Sequence, residues 1–103
     1  MSCVLITAAN TADAYRLKNS LPGTDVLLGD YQEVPEIMIS SGKILRLPKP
    51  SSETYIHDLL ALGLDKQLSA VYLLRKEEQD AAANAKQLFD EFEIELIFAE
   101  NEV

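Results

Sequence analysis

Two short apolar runs, Ala70 to Leu74 and Ile94 to Phe98, bracket a charged turn and an amphipathic stretch with helical spacing. Strand, turn, helix and strand over Ser69 to Phe98 make one β-α-β unit. Parallel strands cannot be joined by a tight hairpin; they need a crossover, and the helices of such crossovers cover the faces of the sheet. One unit of this kind therefore commits the chain to an α/β architecture.

The upstream sequence repeats the alternation. Cys3 to Thr7 is a continuous apolar run closed by a hydroxyl residue, the form of a central parallel strand buried on both faces. Asn10 or Thr11 can cap a helix carrying Ala14, Leu17 and Leu21, which Pro22 and Gly23 end. Asp25 to Gly29 reads as a second strand. A long connection follows, in which Pro35 opens a short helical turn through Ile39 and Gly42 punctuates the chain.

Ile44 to Leu47 is a third strand, and its Arg46 marks a solvated edge. After the loop from Pro48 to Ser52, Ser51 or Ser52 is placed to cap a helix with the stripe Ile56, Leu59, Leu60 and Leu64. A third main helix is expected from Glu78 to Phe92, burying Ala82, Ala85, Leu88, Phe89 and Phe92. Right-handed crossovers then give a three-layer, Rossmann-like α/β domain with a mostly parallel five-stranded sheet in the order 3-2-1-4-5. At 103 residues the chain makes one domain, 1–103, and buries roughly two thirds of the surface its unfolded form exposes.

Composition removes several functions. Net charge is −8, yet residues 1 to 76 are balanced, while residues 77 to 103 hold nine acids against Lys86 alone. An acidic face keeps a protein soluble and repels phosphate, so no nucleic-acid partner is expected. No apolar run approaches the roughly 20 residues that span a bilayer, and Met1 and Ser2 lead straight into the first strand without a signal-type core. A cytoplasmic protein without a membrane partner is the expectation. Cys3 is the single cysteine and reads as a small core hydrophobe.

In open parallel sheets, ligands bind beyond the carboxyl ends of the strands, near the point where strand order reverses. That rule selects Thr7 and Asn10 after the first strand, Asp30 and Tyr31 after the second, and Arg75, Lys76, Glu77 and Glu78 after the fourth. The ligand-binding candidates are Thr7, Asn10, Asp30, Arg75, Glu77 and Glu78. The first turn, Thr7 to Asn10, has no glycine, which disfavours close approach of a dinucleotide phosphate. Asp30 in a receiver-type phosphate site would need acids after the first strand, and there are none, so it reads as a turn residue bonding its own backbone.

His57 on the second main helix has no nucleophile or second base beside it in sequence, and Glu77 and Glu78 suit the start of a helix. No catalytic residue, metal ligand or cofactor is expected. Val34, Ile37, Met38 and Ile39 give the long connection more apolar area than a loop needs, and they are the candidate interface for a second copy or a protein partner.

The segments VLITAAN, DVLLGD, KILRLPKPSSETYIHDLLAL and VYLLRKEE before AKQLFDEFEIELI resemble, over nearly the whole chain, the N-terminal pre-ATP-grasp domain of carbamoyl-phosphate-synthase-like ATP-grasp ligases. Many such domains carry a glycine, often followed by arginine, in the first turn; Asn10 and Thr11 stand there here. The resemblance implies a domain that packs against a larger ATP-grasp module, which carries the nucleotide and Mg²⁺ sites. At 103 residues an intact ligase is not expected. Three roles follow: a stand-alone non-catalytic domain binding a protein partner or a small carboxylate or amino acid, one piece of a split or truncated ligase working in trans, and a small independent enzyme, which is the least supported.

Overall fold

The computed structural model describes residues 3–9, 11–32 and 34–98. Its elements run β1 (Cys3–Ile6), α1 (Ala12–Asn19), β2 (Asp25–Asp30), α2 (Glu36–Ser40), β3 (Ile44–Arg46), α3 (Tyr55–Asp65), β4 (Ala70–Leu73), α4 (Lys76–Ala81), α5 (Lys86–Glu91) and β5 (Glu95–Phe98). The five strands form one sheet in the order β3-β2-β1-β4-β5, and every pairing is parallel. This is the expected Rossmann-like α/β arrangement.

Alternation along the strands divides the core between the two faces. Leu5, Val71, Leu73 and Leu96 pack with Tyr55 and Leu59 of α3, Ala82 and Phe89 on one side. Ile6, Leu28, Ile44 and Leu74 pack with Ala14 of α1 and with Met38 and Ile39 of α2 on the other. Leu5 and Ile6 of the central strand β1 and Val71 of its neighbour β4 have no exposed surface. The arginine at the carboxyl end of β3 lies on an edge strand and is exposed, as its charge predicts.

Thr11 is the residue that caps α1, its hydroxyl accepting from the Ala14 N–H. At α3 the expectation shifts by a few residues. Thr54, not Ser51 or Ser52, occupies the cap, and the helix buries Tyr55, Leu59, Leu60 and Gly63 while Leu64 is 47% exposed. Gly63 is buried because Ile94 lies so close that a Cβ would come within 2.9 Å of its Cδ1. The long third helix is two short ones, α4 and α5, separated by a turn at Ala82 to Ala85, where Asn84 is a poor helix former. Phe92 lies past the end of α5 and is 46% exposed.

α3 and α5 both end in a left-handed residue, Gln67 at φ 55° and Glu93 at φ 62°. After α3 the Leu68 N–H bonds the Gly63 carbonyl, and after α5 the Ile94 N–H bonds the Phe89 carbonyl, the pattern of a Schellman stop. Each stop turns the chain directly into the strand that follows. The apolar connection between β2 and β3 is largely covered: Val34 is buried, Met38 and Ile39 are half-buried against the core, and Ile37 alone of the four is exposed, at 73%. Val34 is thus a core residue, because its side chain closes the α1/α2 side of the sheet.

Candidate functional site

Strand order reverses beside β1, whose neighbours β2 and β4 lead the chain to opposite sides of the sheet. The carboxyl ends of these three strands bring Thr7, Asp30 and Arg75 together. Thr7 is fully buried; its hydroxyl accepts from the Leu74 N–H at 2.9 Å and donates to Glu78 Oε1 at 2.7 Å. The same oxygen accepts from the Arg75 N–H at 3.3 Å. One hydroxyl therefore ties β1 to β4 and to the first turn of α4.

Asp30 is also fully buried, and Arg75 reaches over from β4 to hold both of its oxygens, Nη2 to Oδ2 at 2.9 Å and Nε to Oδ1 at 3.3 Å. A two-point grip of this kind orients as well as neutralises. Asp30 Oδ1 in addition accepts from the Gln32 N–H, which is the turn bond expected of it. The Arg75 guanidinium lies 5.6 Å from the centroid of the Tyr31 ring, and the Tyr31 hydroxyl donates to Glu77 Oε2 at 3.4 Å. Ala8, buried just past β1 in the apolar cluster on the α1/α2 side, has φ 57°, a left-handed conformation costly for a residue with a Cβ.

Glu78 is the unusual group. Burial raises its carboxyl to about 7, against the opposing effect of the bonds from Thr7 and the Arg75 N–H. Its second oxygen, Oε2, is buried and has no hydrogen-bond partner, and the hydroxyl of Tyr55 shares that condition. Tyr55 is raised above an ordinary phenol, first by burial and then by the charges of Glu78 and Tyr31. The strand-end rule finds Glu78, but helix-start electrostatics alone does not predict its burial.

The open space lies beside this network. A cleft of about 420 Å³ is lined by Tyr31, Gln32, Lys49, Pro50, Ser51 and Glu77. Of the predicted ligand residues, Thr7, Asp30, Arg75 and Glu78 are gathered into one internally bonded cluster, and Glu77 faces the cleft. Asn10 lies outside the described residues. Lys49, Pro50 and Ser51 were not anticipated, although they follow β3 and the strand-end rule applied to that strand selects them.

His57 is exposed on α3. Among the described residues no three His, Cys, Asp or Glu side chains are grouped to hold a metal, and no helix is long and apolar enough to cross a membrane. The sequence matches no family model, and no curated protein matches it.

Proposed function

We propose that this chain is a non-catalytic, pre-ATP-grasp-like binding domain whose carboxyl-end cleft receives a small ligand, an amino acid or a related small polar molecule. The observation that carries this reading is the 420 Å³ cleft, whose Tyr31 wall lies against the Arg75 guanidinium of the Asp30–Arg75 pair. Binding sites are concave, largely pre-formed and apolar, with a few fixed polar groups. Tyr31 and Pro50 supply apolar wall here, and Lys49, Ser51, Gln32 and Glu77 supply polar groups.

The same cluster argues for binding over chemistry. Arg75 occupies Asp30 from both oxygens, and Glu78 uses one oxygen to fasten Thr7, so both acids act as structural fasteners. No nucleophile, base and oxyanion-stabilising set converges on the cleft among the described residues. The glycine-free first turn argues against phosphate binding at β1. In this reading the domain serves a protein partner, such as an ATP-grasp module, by presenting or sensing the ligand. Calorimetric titration tests it: amino acids are expected to bind saturably and ATP with Mg²⁺ is not, and tight ATP binding with no response to the amino acids would overturn it.

A further inference from the structure

The edge strand β3 is short, and its shortness opens a second cavity. β2 pairs with β1 from Asp25 onward, but β3 joins β2 only at Leu28, so Asp25 to Leu27 have a strand neighbour on one side alone. Successive residues of a strand turn their backbone groups to alternate sides. The Gly29 carbonyl accepts from the Ala9 N–H on the β1 side and the Asp30 carbonyl from the Leu47 N–H on the β3 side. Val26, an even number of residues before Asp30, therefore faces the side that β3 leaves open. The turn before β3 does not close the gap, because the Lys43 N–H bonds the Met38 carbonyl instead. What remains is a cavity of about 520 Å³ among α1, the start of β2, α2 and that turn, sharing no residue with the carboxyl-end cleft.

Val26, Leu28 and Met38, all members of the apolar cluster on this face, line the cavity, together with Tyr15, Lys18 and Lys43. Both lysines are exposed, and no ion pair among the described residues takes up either of them. No carboxylate lines the cavity, although the chain carries a net charge of −8. We propose that this cavity binds an anionic amphiphile, a single apolar chain lying on Val26, Leu28 and Met38 with a carboxylate or phosphate head held by Lys18 and Lys43. The size fits, since ligand cavities run from about 300 to 1,000 Å³ and join mostly apolar walls to a few polar groups. A cationic head would meet two like charges and no acid, and a neutral chain would leave both ammonium groups without an ionic partner. Lysine is a point charge on a flexible apolar stem, so the pair accepts either anionic head while its methylenes extend the apolar wall. This is a second site, and it holds whether or not the carboxyl-end cleft binds a ligand.

The test titrates octanoate, octyl phosphate, octanol and octylammonium, matched in chain length, into the full chain and follows the amides of Lys18, Val26, Leu28, Met38 and Lys43 by NMR. At least one of the two anions is expected to shift these amides saturably, to weaken as salt is raised and to bind about tenfold tighter than octanol, with octylammonium weaker still. Comparing the two anions identifies the head. Butanoate, which keeps the carboxylate on a shorter chain, should bind at least about tenfold more weakly than octanoate. Lys18→Gln combined with Lys43→Gln should bring the anions down to the affinity of octanol, and its amide dispersion confirms that it remains folded. The salt and head-group comparisons need no variant. If octanol or octylammonium binds as well as the anions, if butanoate matches octanoate, or if the folded double variant binds the anions as wild type does, the proposal is overturned. It is equally overturned if none of the probes shifts these amides, or if the shifts fall only around Tyr31, Lys49 and Glu77, a result that leaves the reading of the carboxyl-end cleft intact.

Discussion

The buried carboxyl of Glu78 makes a measurable contribution to stability of known sign. Its folded value of about 7 lies above the ordinary glutamate value of 4.5, so between these limits the native state binds more protons than the unfolded chain. The stability it contributes is fully present below about pH 4.5 and is lost as pH rises through about 7, a change of roughly 3 kcal/mol. Chemical denaturation of wild type and Glu78→Gln across that range should show the difference closing on the variant's side, with the variant equal or more stable at pH 8. Arg75 is the converse case. Arg75→Met leaves the buried Asp30 carboxylate without its guanidinium and should cost about 3 kcal/mol, whereas adding Asp30→Asn should recover part of that loss, as measured in a double-mutant cycle. The strand-end rule selected these residues from sequence, but pairing did not follow from it, because Asp30 and Arg75 are 45 positions apart and meet only across the end of β1.

At the scale of elements, the sheet was legible because its strands are continuous apolar runs alternating with helices, the pattern of a doubly wound parallel sheet. The helices were less so. A hydrophobic pattern continues across Ala81 to Ala85 as if one helix ran through, and only the weak helix preference of Asn84 marks the break. In α3 the stripe Ile56, Leu59 and Leu60 faces the core as its spacing predicts, and only Leu64 departs from it, because Gly63 is the residue packed under Ile94. The two close-packed glycines yield contrasting predictions. At Gly29 an added Cβ would lie 2.8 Å from Leu47 Cδ2 and 2.9 Å from its Cγ, within a buried side chain, so Gly29→Ala should cost about 1–3 kcal/mol. At Gly63 the obstacle is the tip of Ile94, and alanine gains up to about 1 kcal/mol of helix preference, so Gly63→Ala should be nearly neutral by thermal denaturation.

For the whole molecule, the apolar connection between β2 and β3 illustrates what a linear pattern leaves out. Val34, Ile37, Met38 and Ile39 look alike in sequence, yet Val34 is buried in the core and Ile37 is 73% exposed. Val34→Asp should therefore unfold the protein, and Ile37→Asp should leave its denaturation midpoint unchanged. Sedimentation of wild type and Ile37→Asp then reads association separately from folding: a wild-type dimer converted to a folded monomer locates an interface on this helix, and two identical monomers exclude one. The cleft is a whole-molecule feature in the same sense, since the loops after β2 and β3 and the first turn of α4 each contribute wall. The sequence shows the polar residues after each strand, but not which of them the fold bonds together and which it leaves facing open space.

The central claim is that ligands bind at the carboxyl end of the sheet. Amide shift mapping of the full chain with a panel of amino acids and small carboxylates tests it most directly. Saturable shifts are expected, centred on Tyr31, Gln32, Lys49, Ser51 and Glu77 and extending to Arg75 and Glu78. Saturable shifts confined to the opposite end of the sheet, around Asp25, Ser69 and Glu95, would contradict it.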